Sequence, residues 1–273
     1  MSSAFLGFML YFPTHNEKFG KIFDIYDPDH DIPTYANPVP TAVLPTVAFD
    51  AEVGYNCFLM HSSRFKETNV YIINTFSELE QHAVNTLASD KRNPPVYTVG
   101  PLLDLKNSSK VASSERESIM KWLDAQHDSS VVYLCFGSWG GFELPQVNEI
   151  ATALERSGQR FLCWNSTLES LWNGVPIATW PIYAEQQLNA FELVKELGLA
   201  IDLKSDHRHI GGAIVGADEI EKAVRSLMDK DNPARKIVLK MKEKCRHAVA
   251  EGGSSYYSMG CFIDKVMEHK LTM

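Results

Sequence analysis

Apolar residues along the chain form two recurring patterns, short continuous runs and longer stretches with helical spacing. Val131–Phe136 and Val175–Trp180 are continuous apolar runs, which are typical of strands covered on both faces of a sheet. Asp218–Lys230 instead places apolar residues three and four positions apart, which predicts an amphipathic helix. Such an alternation of buried strands and helices predicts an α/β fold with a parallel sheet.

The second half of the chain contains four strand-like runs separated by helical patterns: Val131–Phe136, Arg160–Cys163, Val175–Trp180 and Leu199–Leu203. The helical stretch Pro145–Ser157 lies between the first two, and its length suits a crossover between parallel strands. We therefore expect residues 116–203 to build one parallel sheet.

The first fifty residues give a weaker pattern. Ala4–Phe12 has helical spacing that Pro13 interrupts, and it predicts a buried helix. A bilayer span needs about 20 apolar residues, so this run predicts no stable membrane insertion. Five prolines in residues 24–45 predict an ordered surface loop. His15 and His30 are interpreted as solvated loop side chains without a catalytic role.

The stretch Cys163–Leu188 concentrates polar residues where strands give way to helices. Ser166 and Glu169 have the S-x-x-E spacing of a capping box, which predicts a helix start, and Gly174 is placed to end that helix. In open α/β sheets, ligands bind where strands are followed by helices, at the carboxyl edge of the strands. The sequence therefore predicts a binding site at this edge.

Composition and charge argue against nucleic acid and structural metal as binding partners. The chain of 273 residues has a formal net charge of −8, which makes nucleic acid an unfavourable partner. Its five cysteines are odd in number and include no C-x-x-C, which favours a reducing compartment such as the cytoplasm and predicts no structural metal. His207 and His209 form an H-x-H, but no Cys or carboxylate cluster nearby completes a metal shell.

A polar segment divides the chain. Residues 104–115 have few apolar anchors and are interpreted as a linker between residues 1–103 and 116–255. In the second part, a glycine-rich turn follows the strand Val131–Phe136 and leads to a helix. Such a turn can hold phosphate with backbone N–H groups, or it can use glycine for backbone reasons alone. Gly137, Gly140 and Gly141 do not form G-x-G-x-x-G, which disfavours a dinucleotide site.

The stretch Cys163–Leu188 also carries longer sequence words that resemble a known family. The words are W-N-S-T-L-E-S-L-W (164–172), G-V-P-I-A-T-W-P (174–181) and Y-A-E-Q-Q-L-N-A (183–190), with further similarity at 96–102, 130–138 and 251–255. They resemble the sugar-nucleotide signature of plant family-one UDP-glycosyltransferases. The resemblance implies a GT-B-like α/β fold. A Rossmann-like C-terminal domain would bind the donor, a partial N-terminal domain would bind the acceptor, and a last helix at 256–273 would return to the N-terminal domain.

The resemblance implies a donor site of seven residues: Ser138, Trp164, Asn165, Ser166, Glu169, Glu185 and Gln186. Ser138 would contact phosphate, Glu169 the ribose hydroxyls, and Glu185 with Gln186 the hydroxyls of the transferred sugar. Each has a simpler alternative. Glu169 completes the capping box, the acidic start of a helix is favoured by its macrodipole, and Trp164 can be the end of a strand.

Two departures from the family pattern limit what the resemblance implies. The opening segment resembles a region beyond the family's histidine base and its aspartate partner, so no catalytic residue is assigned. Arg160-Phe161-Leu162 also runs directly into Cys163, which removes part of the signature and about two β/α units. The missing part includes W-A-P-Q, whose tryptophan stacks on uracil in the family, and H-C-G-W, whose histidine contacts a phosphate. Neither W-A-P-Q nor H-C-G occurs elsewhere in the sequence.

The implied reaction is transfer of a sugar, glucose in the branch it resembles most, from UDP-sugar to a hydroxyl of a small phenolic acceptor such as a flavonoid. The UDP-sugar is a co-substrate, and neither a metal nor another cofactor is implied. The alternative is a non-catalytic truncated product or an interaction partner of full-length relatives.

Overall fold

The computed structural model describes residues 2–103, 113–136, 141–163, 167–203 and 214–271, without the side chains of 113–115, Cys163 and 269–271. The helices within these residues are α1 Ser3–Phe19, α2 Gly54–Phe65, α3 Gln81–Ser89, α4 Ser113–Asp124, α5 Leu144–Ser157, α6 Thr167–Asn173, α7 Gln186–Phe191, α8 Ala217–Met228, α9 Pro233–Val249 and α10 Ser254–Leu271. The strands are β1 Tyr71–Ile73, β2 Val96–Thr98, β3 Val131–Leu134, β4 Arg160–Cys163, β5 Ile177–Thr179 and β6 Ala200–Asp202. Short 3₁₀ turns at Thr41–Val43 and Thr46–Phe49 and a π-helical segment at Glu192–Glu196 complete the regular structure.

The strands form three parallel pairs, β1 with β2, β3 with β4, and β5 with β6. A helix connects the two members of each pair: α3, α5 and α7, respectively. This repeated strand–helix–strand unit confirms the α/β class with parallel pairing that the apolar runs predicted.

The expected single sheet over residues 116–203 is wrong for the part of the chain that the structure describes. β3–β4 and β5–β6 are separate two-stranded sheets, and no backbone ladder joins β3 to β5. The two pairs meet through side chains instead, because both pack their apolar residues against α5 and α8. The short strands are therefore held by a common helical layer rather than by one continuous set of hydrogen bonds.

α1 continues through Pro13, so the expected break at this residue is wrong. The Ser2 hydroxyl caps the helix by accepting a hydrogen bond from the Phe5 N–H at 3.1 Å. Pro13 removes one backbone donor, but aromatic rings on both sides of it are buried: Phe8 and Phe12 before it and His15 after it. Their packing keeps the helix intact until Gly20, whose φ of 62° ends it in the left-handed conformation.

The N-terminal core includes two residues from the second half of the chain. Leu188 and Phe191 of α7 pack into the aromatic cluster formed by α1 and the following loop. Glu196 adds a polar link, because its carboxylate accepts hydrogen bonds from the backbone N–H groups of Ala36 and Asn37 at 3.0 and 2.8 Å. α7 is thus anchored to the N-terminal half.

α10 lies against β2, where the rings of Tyr97 and Phe262 are 5.5 Å apart. At the start of α10 the Ser254 hydroxyl donates a hydrogen bond to the Glu78 carboxylate at 2.7 Å. The last helix therefore contacts the N-terminal half, while the division into domains at residues 104–115 stays a prediction. None of the helices described is long and apolar enough to cross a membrane.

Candidate functional site

The structure describes three of the seven predicted donor-site residues. Glu169, Glu185 and Gln186 lie in the described part of the chain. The other four predicted residues lie outside it: Ser138, Trp164, Asn165 and Ser166. Their assigned roles stay predictions.

The carboxyl ends of the two C-terminal strand pairs face the same side of the molecule. The last residue of β3, Leu134, is in register with Cys163 at the end of β4. Phe136, two residues after β3, packs edge-on against Trp180, the residue after β5, with ring centroids 6.2 Å apart. A common carboxyl edge is where a doubly wound sheet binds its ligands, so this side is the candidate site.

The turn between β5 and α7 has an unusual backbone. Ala184 has a φ of 54°, in the left-handed region that residues with a Cβ seldom adopt. Such conformations are held by the surrounding structure and cluster at functional sites. The turn places Glu185 at the N-cap of α7, where the Asn189 N–H donates to its carbonyl oxygen at 3.0 Å.

Gln186 holds this turn with its side chain. Its Oε1 accepts hydrogen bonds from the backbone N–H groups of Ile182 and Tyr183 at 2.7 and 3.3 Å. No acceptor among the described residues takes the N–H groups of Nε2. The amide can therefore hold the loop with its oxygen and donate to a bound hydroxyl with its nitrogen.

Glu169 is exposed in the first turn of α6. Its backbone carbonyl accepts a hydrogen bond from Asn173 Nδ2 at 2.9 Å, which stabilises the short helix. α6 begins at Thr167 and ends at Asn173, before Gly174 with a φ of 74°, as the sequence predicted. The ribose role of this carboxylate stays a prediction.

A cavity of about 730 Å³ separates β3 from β5. Backbone and side chains of both strands form its sides, and α6, α7 and α9 contribute further lining. Two basic side chains, Arg235 and Lys242, are the charged groups among the described lining residues. This cavity was not predicted, because the apolar runs were expected to place β3 and β5 in one sheet.

A buried pair of carboxyl groups was also not predicted. Glu80 and Glu192 are both buried and share a hydrogen bond, and Glu80 Oε1 also accepts from the Ala4 N–H at 2.9 Å. Burial and then the charge of Glu80 raise the pKa of the Glu192 carboxyl well above its usual range. The two residues are far apart in sequence, so no local pattern reveals them.

The interpretation of His15 and His30 as solvated loop residues is wrong. His15 lies in α1 with only 2% of its surface exposed, and its ring stacks on Phe23 at a centroid distance of 3.8 Å. Burial, together with the neighbouring His30, lowers the pKa of His15 to about 4. The pKa of His30 is lowered by burial as well. Both rings are neutral members of the aromatic core at pH 7.

The described residues contain no group of three or more His, Cys, Asp or Glu side chains placed to hold a metal ion. His207 and His209 lie outside the described residues. Cys57, Cys245 and Cys261 are reduced thiols.

Known proteins with similar sequence are plant glycosyltransferases. UDP-glycosyltransferase 71K1 of Malus domestica is 41% identical over 97% of this chain and 69% of its own length. Flavonol 3-O-glucosyltransferase UGT71C4 of Arabidopsis thaliana is 39% identical over 98% of this chain and 67% of its own length. No protein-family model matches the chain.

Solved structures give the same result. The fold matches Medicago truncatula UGT71G1 in complex with UDP-glucose, with a TM-score of 0.89 and 41% identity over 97% of this chain and 69% of that one. It also matches a Siraitia grosvenorii UGT transferase in complex with UDP, with a TM-score of 0.90 and 35% identity over 97% and 76% of the two chains. These matches confirm the GT-B-like fold.

The relatives contain residues that this chain lacks within the matched span. The match to the Malus protein extends over 329 residues, whereas 97% of 273 residues is about 265, so about 64 matched positions have no counterpart here.

Proposed function

Because the chain belongs to the plant UDP-glycosyltransferase family, we propose that it binds UDP-glucose at the carboxyl edge of β3–β6 and uses a small phenolic compound as acceptor. The sugar would pass to a phenolic hydroxyl and UDP would leave. The donor assignment is supported by relatives solved with UDP-glucose and with UDP. The acceptor class is supported by the relative named as a flavonol 3-O-glucosyltransferase.

The observation that carries this proposal is the geometry of Gln186. Its oxygen is used to hold the loop at Ile182 and Tyr183, which fixes the side chain and leaves its nitrogen as a donor. A fixed amide beside the Glu185 carboxylate offers both donors and acceptors, and a sugar hydroxyl needs both. The positive φ of Ala184 supports the same assignment, because strained backbone often serves to position functional groups.

Sugar transfer by this chain alone is expected to be slow. A base that accepts the proton of the acceptor hydroxyl contributes about 10²–10⁴-fold to the rate in typical enzymes. No residue is assigned as this base, and His15 and His30 are buried against Phe23, with 2% and 7% of their surfaces exposed. We therefore expect the chain to bind the donor but to transfer its sugar only slowly.

The cytoplasm is the proposed compartment. The reduced thiols of Cys57, Cys245 and Cys261 support it, because structural disulfides are rare in reducing compartments.

Donor recognition is tested by isothermal titration calorimetry of the chain with UDP-glucose. Gln186→Ala is expected to weaken binding about tenfold, the equivalent of about 1.4 kcal/mol and within the range of a hydrogen bond to a sugar hydroxyl. Gln126→Ala is the matched control, because the Gln126 side chain donates a solvent-exposed hydrogen bond to the Trp122 carbonyl in α4. Equal affinities for the two variants would contradict the assignment of Gln186.

Transfer is tested by incubating the chain with UDP-glucose and a flavonol and following the glucoside by chromatography. Little product is expected beyond the uncatalysed rate. Product formation at the rate of a full-length relative would contradict the missing base. A non-catalytic protein is the second candidate, favoured by the burial of both histidines, and it predicts donor binding without any product.

A further inference from the structure

We propose that the cavity between β3 and β5 is a docking site for an extended segment of another polypeptide, which adds a strand between them. The segment would be about seven residues long, apolar in its centre and acidic at its ends. This interaction goes beyond glycosyl transfer and does not depend on it.

The strand order of related folds indicates which positions of the sheet have no strand among the described residues. Doubly wound sheets of the Rossmann type have the strand order 3-2-1-4-5-6. If β3 and β4 are the first and second strands, and β5 and β6 the fifth and sixth, the fourth position falls between β3 and β5. The cavity of about 730 Å³ lies there. The third position falls outside β4, where Phe161 is 51% exposed.

The number of residues absent from this chain fits the same scheme. The Malus relative has about 64 positions within the matched span that this chain lacks. A strand–helix–strand unit takes about 30 residues or more, so this difference is enough for two strands with their helices. Two is also the number of positions, the third and the fourth, that have no strand among the described residues in this order.

The elements around the cavity are arranged as they would be around a central strand of a sheet, with helices on both faces. α5 and α8 cover one face of the strand pairs. Residues of α6, α7 and α9 line the cavity on other sides. A strand enclosed on both faces is apolar throughout its centre rather than alternating. Val175, next to β5, is 43% exposed although it belongs to a run with the composition of a buried strand.

The charge of the cavity lining predicts acidic residues at the ends of the proposed segment. Arg235 and Lys242 are the charged side chains among the described residues that line the cavity. Neither Asp nor Glu lies in that lining, so an acidic residue beside the apolar centre would gain an ion pair and a basic one would be repelled. This predicts a charge preference that a simple apolar cavity would not have.

The test uses the whole chain and synthetic peptides. The probe is acetyl-EVIVTVE-amide, with acetyl-EVIPTVE-amide as a control, because proline cannot donate to a ladder and disrupts a central strand. Binding is measured by amide hydrogen exchange followed by mass spectrometry. The peptide concentration is set at about ten times its Kd. Amide hydrogen exchange in residues 131–134 and 177–179 is then expected to slow about tenfold wherever it requires the strands to open, because the bound peptide must dissociate first.

Charge preference supplies an independent readout. The unmodified chain should bind the acidic probe more tightly than acetyl-KVIVTVK-amide. Lys242→Glu should remove this preference, because the new carboxylate offsets the charge of Arg235, whereas Lys240→Glu, an exposed change on the same helix, should preserve it. Circular dichroism of each variant checks that it folds.

Three results would overturn the proposal. The first is that the probe changes exchange at neither strand in the unmodified chain. The second is that the proline peptide protects them equally. The third is concentration-dependent protection of the same strands without any peptide, which would show that a second copy of the chain fills the cavity.

Discussion

Glu80 and Glu192 hold two buried carboxyl groups in hydrogen-bonding contact, although one comes from the segment before α3 and the other from the segment after α7. Two carboxylates so close cannot both be charged at low cost, so the pair shares a proton. The contact joins the two halves of the chain, and its strength depends on pH.

This pair predicts a loss of stability with rising pH. The folded pKa of Glu192 is raised, so between the unfolded and folded pKa values the folded chain binds more protons than the unfolded chain. The free energy of unfolding therefore falls as pH rises through that window. Glu192→Gln keeps the hydrogen bond without the charge, and it should increase the free energy of unfolding at pH 7 by about 1–2 kcal/mol.

Urea denaturation of Glu192→Gln between pH 5 and 8 measures this effect, with the exposed Glu155→Gln as the control. The pH dependence should become flatter only in the Glu192 variant. Identical pH profiles for both variants would show that the pair carries no shared proton.

His15 predicts the opposite slope in a more acidic range. Its folded pKa of about 4 lies below the ordinary value of 6.5, because burial and His30 disfavour the charged ring. As pH falls through 6.5 towards 4, the unfolded chain takes up a proton that the folded chain does not, so stability falls. On acidification, the free energy of unfolding of His15→Phe should therefore fall by about 1–2 kcal/mol less than that of the unmodified chain.

The comparison is with His61→Phe, since His61 is exposed on α2. Thermal unfolding at several pH values between 4.5 and 7.5 provides the measurement. An NMR titration of His15 with a midpoint near 6.5 would contradict the assignment.

Two helical glycines should respond oppositely to alanine. A Cβ on Gly7 in α1 would overlap the side chain of Thr34, whose hydroxyl donates to the Ala4 carbonyl at 3.0 Å. Gly7→Ala should therefore lower the free energy of unfolding by about 1–3 kcal/mol. Gly260 in α10 has open space around it, so Gly260→Ala should add up to about 1 kcal/mol through helix propensity. Chemical denaturation compares the two, and a stabilised Gly7→Ala would show that α1 does not pack closely on Thr34.

Nucleotide binding should show little selectivity for uracil. The sequence contains no W-A-P-Q, the word whose tryptophan stacks on uracil in the family that it resembles. Stacking of a base on an aromatic side chain is worth about 1–3 kcal/mol, so its loss removes much of the affinity and of the preference for one base. Calorimetry with UDP, ADP and GDP should give weak and similar affinities. Tight binding of UDP alone would mean that another residue recognises the base.

The sequence predicted those elements whose signals are local. α8 follows from helical spacing, and the end of α6 follows from Gly174. The parallel pairs follow from apolar runs joined by helical stretches of crossover length. These features depend on neighbours within a few residues, and tertiary contacts do not override them.

Features that depend on distant contacts were missed. The burial of His15 results from Phe23 and His30, and the continuity of α1 through Pro13 results from aromatic packing on both sides. The separation of β3 from β5 was also missed, because the apolar run of each strand is the same whether its neighbour is present or absent. The donor site was recognised by resemblance, and the role of Gln186 Oε1 in holding its own loop became visible only from the hydrogen bonds.

The burial of Leu188 and Phe191 in the aromatic cluster of α1 has a consequence for how the molecule unfolds. α7 cannot leave its place without opening the N-terminal core, so heat should melt the two halves in a single calorimetric transition. The pair β3–β4 differs, because among the described residues its core cluster contains no side chain from the N-terminal half. Local opening of this pair would cost less free energy than global unfolding, and proteases should cut there first under native conditions.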